Sequence, residues 1–166
     1  MKCKLIIGSC FGCLLFFIFI SCNSKTGSLT GQQSMEVKEN VQKMMDMTAS
    51  DISHDGPVGW LKYFENTPDF FMASDGQIVF PNYDSATAFI KNTLARQIKK
   101  IELHWSNIRI YPLAERLANI GADWMEYFTD FAGNNNSQKG YFTAVAEKTL
   151  QGWRLRNAHW SVIKSK

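Results

Sequence analysis

The spacing of hydrophobic residues changes along the chain between helical and strand-like, and the first region with a clear pattern is helical. From Met35 to Thr48 the apolar residues follow the three-and-four spacing of one helix face. Ser34 is a suitable N-cap, and Glu36 lies in the first turn, where the helix dipole favours a carboxylate. A breaker containing Pro57 follows, and VGWLKYFEN is predicted as a second, short helix.

The central part of the chain changes to a strand pattern and then returns to a helix. DFFMASDGQIVFPNY contains two short strand-like runs joined by Asp75-Gly76, a dipeptide typical of a tight β-hairpin. DSATAFIKNTLARQI has helical spacing, with Asp84 or Ser85 as the N-cap. The predicted core face of this helix comprises Ala88, Phe89, Leu94 and Ile98.

After Lys99 the pattern predicts four strands in a meander, KKIELHWSNIRIY, LANIGADWMEYFTDF, YFTAVAEK and GWRLRNAHWSVI. The first changes phase, which an extra residue near Ser106-Asn107 explains as a β-bulge. Strict alternation in the last strand places one set of residues on one face: Trp153, Leu155, Asn157, His159 and Ser161. The opposite face then carries Arg154, Arg156, Ala158, Trp160 and Val162.

The beginning of the chain has the layout of a secretory signal peptide. Two lysines precede an apolar stretch from Leu5 to Ile20, and the stretch ends in FISC. That ending resembles the lipobox of bacterial lipoproteins, which implies cleavage before Cys22 and acylation of this cysteine. The alternative is an uncleaved signal anchor. The predicted organisation is a signal peptide at 1–21, a lipidated cysteine and flexible tether at 22–34, and one domain at 35–166.

Cysteine content and charge exclude several classes of protein. All four cysteines lie in the leader, at Cys3, Cys10, Cys13 and Cys22. A mature domain without thiols excludes thiol catalysis and cysteine-liganded zinc. Removing Lys2 and Lys4 changes 18 basic and 15 acidic residues to 16 and 15. This balance gives no reason to expect nucleic acid as a partner. The expected location is the bacterial cell envelope, outside the cytoplasm and anchored to the membrane by lipid.

Several landmarks resemble the SnoaL-like branch of the nuclear-transport-factor-like superfamily. They are FFMASDGQIVF, the helix after it, YFTAVAEKTLQGWRL and NAHWS, in this order over roughly 35–163. The resemblance implies an α+β fold in which a curved antiparallel sheet wraps around N-terminal helices and forms a cone with a cavity. It further implies a small apolar ligand and a homodimer through the open sheet face, where Arg154, Arg156 and Trp160 are expected.

The resemblance also implies where chemistry would occur. His159 is expected near the cavity, as a hydrogen-bonded structural histidine or as a general acid or base. Asp123 and Glu126 have opposite parity on one predicted strand, so at most one faces inwards unless a bulge intervenes. The predicted ligand-binding set is Trp60, Tyr63, Trp124, Tyr141, Asn157 and His159.

Three functions remain open at this point. The first is ligand binding without committed catalysis. The second is an isomerase- or dehydratase-type enzyme that uses His159 with Asp123 or Glu126. The third is a dimeric protein-interaction module. His54, His104 and His159 lack metal-ligand spacing, and the phosphate-loop and nucleophile-elbow motifs are absent from the sequence. No metal and no cofactor are therefore predicted.

The lipobox interpretation makes a direct prediction. Cys22→Ser removes the acyl acceptor, so we expect an uncleaved precursor that incorporates no labelled fatty acid in growing cells. Cys13→Ser, inside the leader, is the matched control and should be processed and labelled normally. A fully processed Cys22→Ser product would overturn the interpretation.

Overall fold

The computed structural model describes residues 28–163. A long helix, α1, spans Gly31–Asp55, and a 3₁₀ helix at Gly56–Lys62 follows it. The predicted signal peptide, Cys22 and the beginning of the predicted tether lie outside the described residues.

Helix α1 begins earlier than the sequence pattern predicts. Its N-cap is Thr30 and not Ser34, so the residues at 31–34, predicted as tether, form the first helical turn. The Thr30 hydroxyl accepts a hydrogen bond from the Gln33 amide at 3.2 Å, and the Gln33 side chain accepts one from the Thr30 amide at 2.9 Å. This reciprocal capping box satisfies two amides that otherwise lack partners and fixes the helix start.

One face of α1 is buried against the sheet, as its periodicity predicts, except that Met35 at the start of the predicted stripe is exposed. The buried residues are Val37, Val41, Met44, Met45, Thr48 and Ile52. The 3₁₀ helix then folds back on α1 at Gly59, where a Cβ atom would lie only 2.8 Å from the Asp51 carbonyl oxygen. A glycine is therefore required at this close approach.

The predicted hairpin is confirmed. Strands β1 (Phe71–Ser74) and β2 (Gln77–Phe80) are joined by Asp75 and Gly76, with φ of 47° and 85°. Two successive positive φ angles match the twist of the flanking strands.

The helix after the hairpin exists but differs from the prediction in its cap and its buried face. Helix α2 spans Tyr83–Phe89, and its N-cap is Asn82 and not Asp84 or Ser85. The buried residues are Ala86 and Ile90, whereas the predicted Ala88 and Phe89 are exposed. The reason is that the Phe89 ring packs on Phe80 of the hairpin, at a centroid distance of 5.3 Å, instead of entering the core.

A π-helical turn at Ile90–Leu94 and a short helix, α3, at Ala95–Gln97 lead into the main sheet. Four long strands follow, β3 (Ile98–Ala114), β4 (Leu117–Asp130), β5 (Asn135–Thr149) and β6 (Gly152–Val162). The sheet order is β2-β1-β6-β5-β4-β3. Strand β1 runs parallel to β6 and the other pairs are antiparallel, so the sheet is mixed and not purely antiparallel as predicted.

Register shifts interrupt several strand pairs, and two of them bear on the predicted faces. The sequence pattern predicts the one in the middle of β3 but not the one in β6. In β3 the register shifts between Ser106 and Arg109, and Asn107 has a φ of 50°. In β6 the register shifts opposite Val145 and Ala146, which pair with Asn157 and Leu155. Arg156 is therefore an extra residue without a partner in the ladder.

The bulge in β6 overturns the predicted faces of this strand. Before it Leu155 is buried, and after it the inward residues are Ala158 and Trp160. His159 is exposed and pairs with Thr143 on the outer face. The predicted inward orientation of His159, and the outward orientation of Trp160, are both wrong because one extra residue exchanges the two faces.

The close contact between β5 and β6 predicts a sensitive glycine. A Cβ atom at Gly140 would collide with the Ser161 carbonyl oxygen and approach the Trp124 indole nitrogen to 2.9 Å. We expect Gly140→Ala to lower the free energy of unfolding by about 1–3 kcal/mol or more. Chemical denaturation of the wild type and the variant measures this difference in unfolding free energy.

The matched control for this substitution is Gly31→Ala. A Cβ atom at Gly31 meets nothing within 4 Å. The control should be neutral or stabilising by about 0.4–1 kcal/mol. Equal stabilities of the two variants would contradict the predicted collision.

Candidate functional site

An apolar cavity of about 490 Å³ lies between the β1–β2 hairpin, α2 with its π-helical turn, and the inner face of the sheet. Its apolar walls include Trp60, Phe64, Met72, Phe80, Ile90 and Trp160. Ligand sites in proteins are typically concave, mostly apolar and supplied with few polar groups. Among the described lining residues, Glu126 carries the ionisable carboxyl group and Gln138 lies opposite it.

Packed aromatic rings support the cavity wall. The Trp160 ring contacts Trp60 at a centroid distance of 5.4 Å and Trp124 at 4.3 Å. Trp105 and Phe142 complete the cluster around it at 5.8 and 5.3 Å. The Trp124 indole donates a hydrogen bond to the Ser161 carbonyl at 3.2 Å, which fixes its orientation. The cavity wall is thus preformed by packing between strands β3 to β6.

Glu126 is the polar centre of the cavity. It lies on β4 and is only 6% exposed. Its Oε2 atom accepts a hydrogen bond from the Gln138 side-chain amide at 2.9 Å. Burial raises the pKa of the Glu126 carboxyl above its usual value, and the hydrogen bond from Gln138 offsets this only in part. The environment therefore favours the uncharged acid, as low-dielectric surroundings generally do.

The two predicted carboxylates have different surroundings. Glu126 faces inwards with Trp124, as its parity allows. Asp123 lies on the outer face, where it accepts a hydrogen bond from the Asn107 side chain at 2.6 Å. Because His159 is also on the outer face, it cannot meet Glu126 at one substrate. The structure therefore does not bring His159 and Glu126 together, whereas His159 and Asp123 share the outer face, away from this cavity.

Only one member of the predicted ligand-binding set lines the cavity, and that is Trp60. Trp124 packs behind Trp160. Tyr63 is buried elsewhere and donates its hydroxyl to Asp51 at 2.9 Å. Burial and this hydrogen bond raise the pKa of Tyr63 to about 12.

The other predicted ligand-binding residues, Tyr141, Asn157 and His159, lie on the outer face of the sheet. The bulge at Arg156 accounts for Asn157 and His159, because it reverses their side. Tyr141 pairs with the outward Asp123 across β4 and β5.

Sequence reasoning missed Gln138, because the predicted strand YFTAVAEK begins only at Tyr141. Strand β5 begins at Asn135, so Gln138 is already in the ladder and pairs with Glu126. The sequence did contain a signal for this pair. If β4 and β5 are extended by equal lengths from the turn that joins them, Gln138 falls opposite Glu126.

No family model and no curated protein matches the sequence. Solved structures do match. The chain superposes on a nuclear transport factor 2-like superfamily protein from Salmonella enterica serovar Typhimurium with a TM-score of 0.68 and 18% identity, over 80% of this chain and 94% of that chain. The protein has the nuclear transport factor 2-like fold.

Two further structures share this nuclear transport factor 2-like fold. Hexachlorocyclohexane dehydrochlorinase LinA-type3 from Novosphingobium barchaimii aligns with a TM-score of 0.64 and 9% identity, over 81% of this chain and 92% of that chain. A protein of unknown function from Shewanella oneidensis aligns with a TM-score of 0.56 and 13% identity, over 75% and 98%. Identities this low establish the fold alone. The predicted α+β cone with a cavity is confirmed.

Residues 28–163 contain neither a membrane-spanning helix nor a cluster of metal ligands. No helix in this range is long and apolar enough to cross a membrane. No three histidine, cysteine, aspartate or glutamate side chains in this range are grouped as metal ligands.

Burial of Glu126 predicts a pH dependence of stability. Because the folded state raises the pKa, folding favours the protonated acid. The stabilisation is complete below the ordinary glutamate pKa and is lost as the pH rises through the folded-state pKa. We therefore expect the unfolding free energy of the wild type to fall relative to that of Glu126→Gln from about pH 4 upwards, with a slope of about 1.4 kcal/mol per pH unit until the carboxyl group of the folded state ionises. Urea denaturation across this pH range measures the difference.

Glu102→Gln is the control, since the Lys100 ammonium holds the pKa of the exposed Glu102 below its usual range. The same experiment should therefore give a difference of opposite sign for this pair. Parallel pH profiles for the wild type and Glu126→Gln would contradict the assigned burial of the acid.

Proposed function

We propose that this protein is a lipid-anchored domain of the bacterial cell envelope that binds a small apolar ligand in the cavity beside Glu126. The observation that carries the proposal is a preformed apolar cavity of about 490 Å³ with one buried carboxyl–amide pair. Its volume lies in the range usual for small-molecule sites, about 300–1,000 Å³.

The cavity walls supply the affinity for an apolar ligand. The rings of Trp60, Phe64 and Trp160 offer apolar surface, and burying such surface contributes about 25 cal/mol for each Å² removed from water. Aromatic faces also favour flat or unsaturated ligand groups.

The Glu126–Gln138 pair supplies the orientation of the ligand. Gln138 occupies one carboxyl oxygen of Glu126, and the other oxygen is not engaged by a hydrogen bond among the described residues. A ligand with one polar group near this position would satisfy that oxygen.

The membrane part of the proposal is supported by the sequence. FISC at the end of the leader resembles a lipobox, and the domain begins soon afterwards, with Thr30 capping α1. Stable anchoring by lipid requires more than one acyl chain, as in a lipoprotein cysteine that is modified on its thiol and its amine.

A second candidate function is an isomerase- or dehydratase-type enzyme in which Glu126 alone transfers the proton. Its support is the raised pKa of a buried carboxyl group in an apolar cavity, a property typical of catalytic acids and bases. In this mechanism Glu126 takes a proton from a substrate carbon and returns it to the leaving group or to a neighbouring carbon. Gln138 holds the carboxyl group in position.

The homodimer stays a prediction. Of the outward residues expected at its interface, Trp160 lies inside the domain. Arg156 is exposed and forms an ion pair with Glu147 at 3.2 Å, while Arg154 donates to the Trp153 carbonyl. The outer face thus retains polar side chains at the predicted interface.

The binding proposal is tested with N-phenyl-1-naphthylamine, a neutral apolar dye whose fluorescence increases away from water. We expect the wild type to bind it. Ser74 lines the cavity, so Ser74→Trp should fill part of the space and weaken binding about tenfold or more, since each tenfold corresponds to about 1.4 kcal/mol.

The matched control is His159→Trp, which places the same indole on the outer face. It should bind the dye as the wild type does. Equal weakening by both substitutions, or no binding to the wild type, would contradict a ligand site in the cavity.

A further inference from the structure

A second cavity, of about 550 Å³, adjoins the first near the end of the sheet where β4 turns into β5. Leu94, Ile98 and Gln138 line both cavities. Because the same three side chains border both spaces, the two cavities are neighbours. We call this pair of adjoining cavities the long groove.

The chemistry of the long groove changes from one end to the other. Its inner end is apolar and lies against Trp60 and Trp160. Gln138 lies at the junction, and its partner Glu126 lines the inner cavity. The outer end retains apolar surface at Phe128 and Phe131 but also includes polar and charged side chains, namely Arg96, Gln97, Asp130 and Asn136.

The two charged side chains at the outer end, Asp130 and Arg96, differ in whether they already have a partner. Asp130 is engaged by Asn134, whose side-chain and backbone amides donate to its two oxygens at 2.8 and 2.9 Å. These hydrogen bonds hold the pKa of Asp130 below its usual value. Arg96 forms no ion pair among the described residues. The guanidinium of Arg96 is therefore free to bind an anionic group.

Exposed apolar side chains follow the same path. Phe131 at the outer end is 63% exposed, and Phe89 and Ile78 at the mouth of the inner cavity are 41% and 65% exposed. Exposed apolar residues that rim a groove are typical of a surface that a ligand covers. A compact ligand confined to the inner cavity would not reach Phe131.

We propose that the ligand of the long groove is a single-chain amphiphile with an anionic head group, such as a long-chain carboxylate. Its chain occupies the inner cavity and passes Gln138, and its head group pairs with Arg96. This assignment rests on the proposed function and names the class of its ligand. The uncharged form of Glu126, which burial favours, is compatible with a hydrocarbon chain beside it.

The experiment is displacement of N-phenyl-1-naphthylamine from the processed full-length protein in phospholipid nanodiscs, with empty nanodiscs as the blank. The competitors are hexadecanoate, hexanoate and hexadecanol. Hexadecanoate should displace the dye at a concentration at least about tenfold below that of hexanoate, because each buried methylene contributes about 0.8 kcal/mol.

The head-group assignment is tested with Arg96→Gln. This substitution should raise the concentration of hexadecanoate needed for displacement about tenfold and leave that of hexadecanol unchanged, as loss of a charge-assisted pair predicts. Lys99→Gln removes a nearby exposed positive charge outside the groove and is the matched control. Lys99→Gln should leave unchanged the concentrations of hexadecanoate and of hexadecanol that displace the dye.

The outcomes separate the two proposals. If the wild type does not bind the dye, the proposed function fails and this inference fails with it. If the dye binds but chain length has no effect, the long groove is not the ligand site, while the proposed function stands. If chain length matters but Arg96→Gln affects hexadecanoate and hexadecanol equally, the anionic head group is overturned.

Discussion

The packing of Trp160 against its aromatic neighbours is the interaction on which the cavity depends. Trp160 faces inwards because Arg156 is an extra residue in β6, and the residues after this bulge exchange faces. Its ring then contacts Trp60 from the helical layer and Trp124 from the sheet. One backbone irregularity therefore decides which side chains form the cavity wall, and it moves His159 to the outer face.

Glu126 gives this apolar space its chemical character. A buried carboxyl group costs stability unless it is hydrogen-bonded or protonated, and Glu126 combines a hydrogen bond from Gln138 with a raised pKa. The arrangement is local, because the two residues pair directly across β4 and β5. This pairing explains how an acidic residue is accommodated in a mostly apolar cavity. The same carboxyl–amide pair could orient a ligand, or Glu126 could transfer a proton.

The proposed ligand class and the proposed anchor are physically compatible. A domain attached close to a bilayer is near a reservoir of single-chain amphiphiles, and a long groove with an apolar end and a free guanidinium suits such molecules. The shared wall at Gln138 links the site that recognises a polar group to the path that the chain would follow. The groove and the carboxyl–amide pair therefore belong to one site.

The sequence by itself determined the element types, the hairpin at Asp75-Gly76, the bulge near Asn107 and the α+β class, because periodicity and turn chemistry are local properties. It also limited Asp123 and Glu126 to opposite faces. Only the tertiary structure decided which of the two is buried, that Gln138 is its partner and that His159 faces outwards. The reason is that these properties depend on the register of β6 and β4 against β5, which contacts between strands decide, and the one added residue at Arg156 reverses every later side chain of β6.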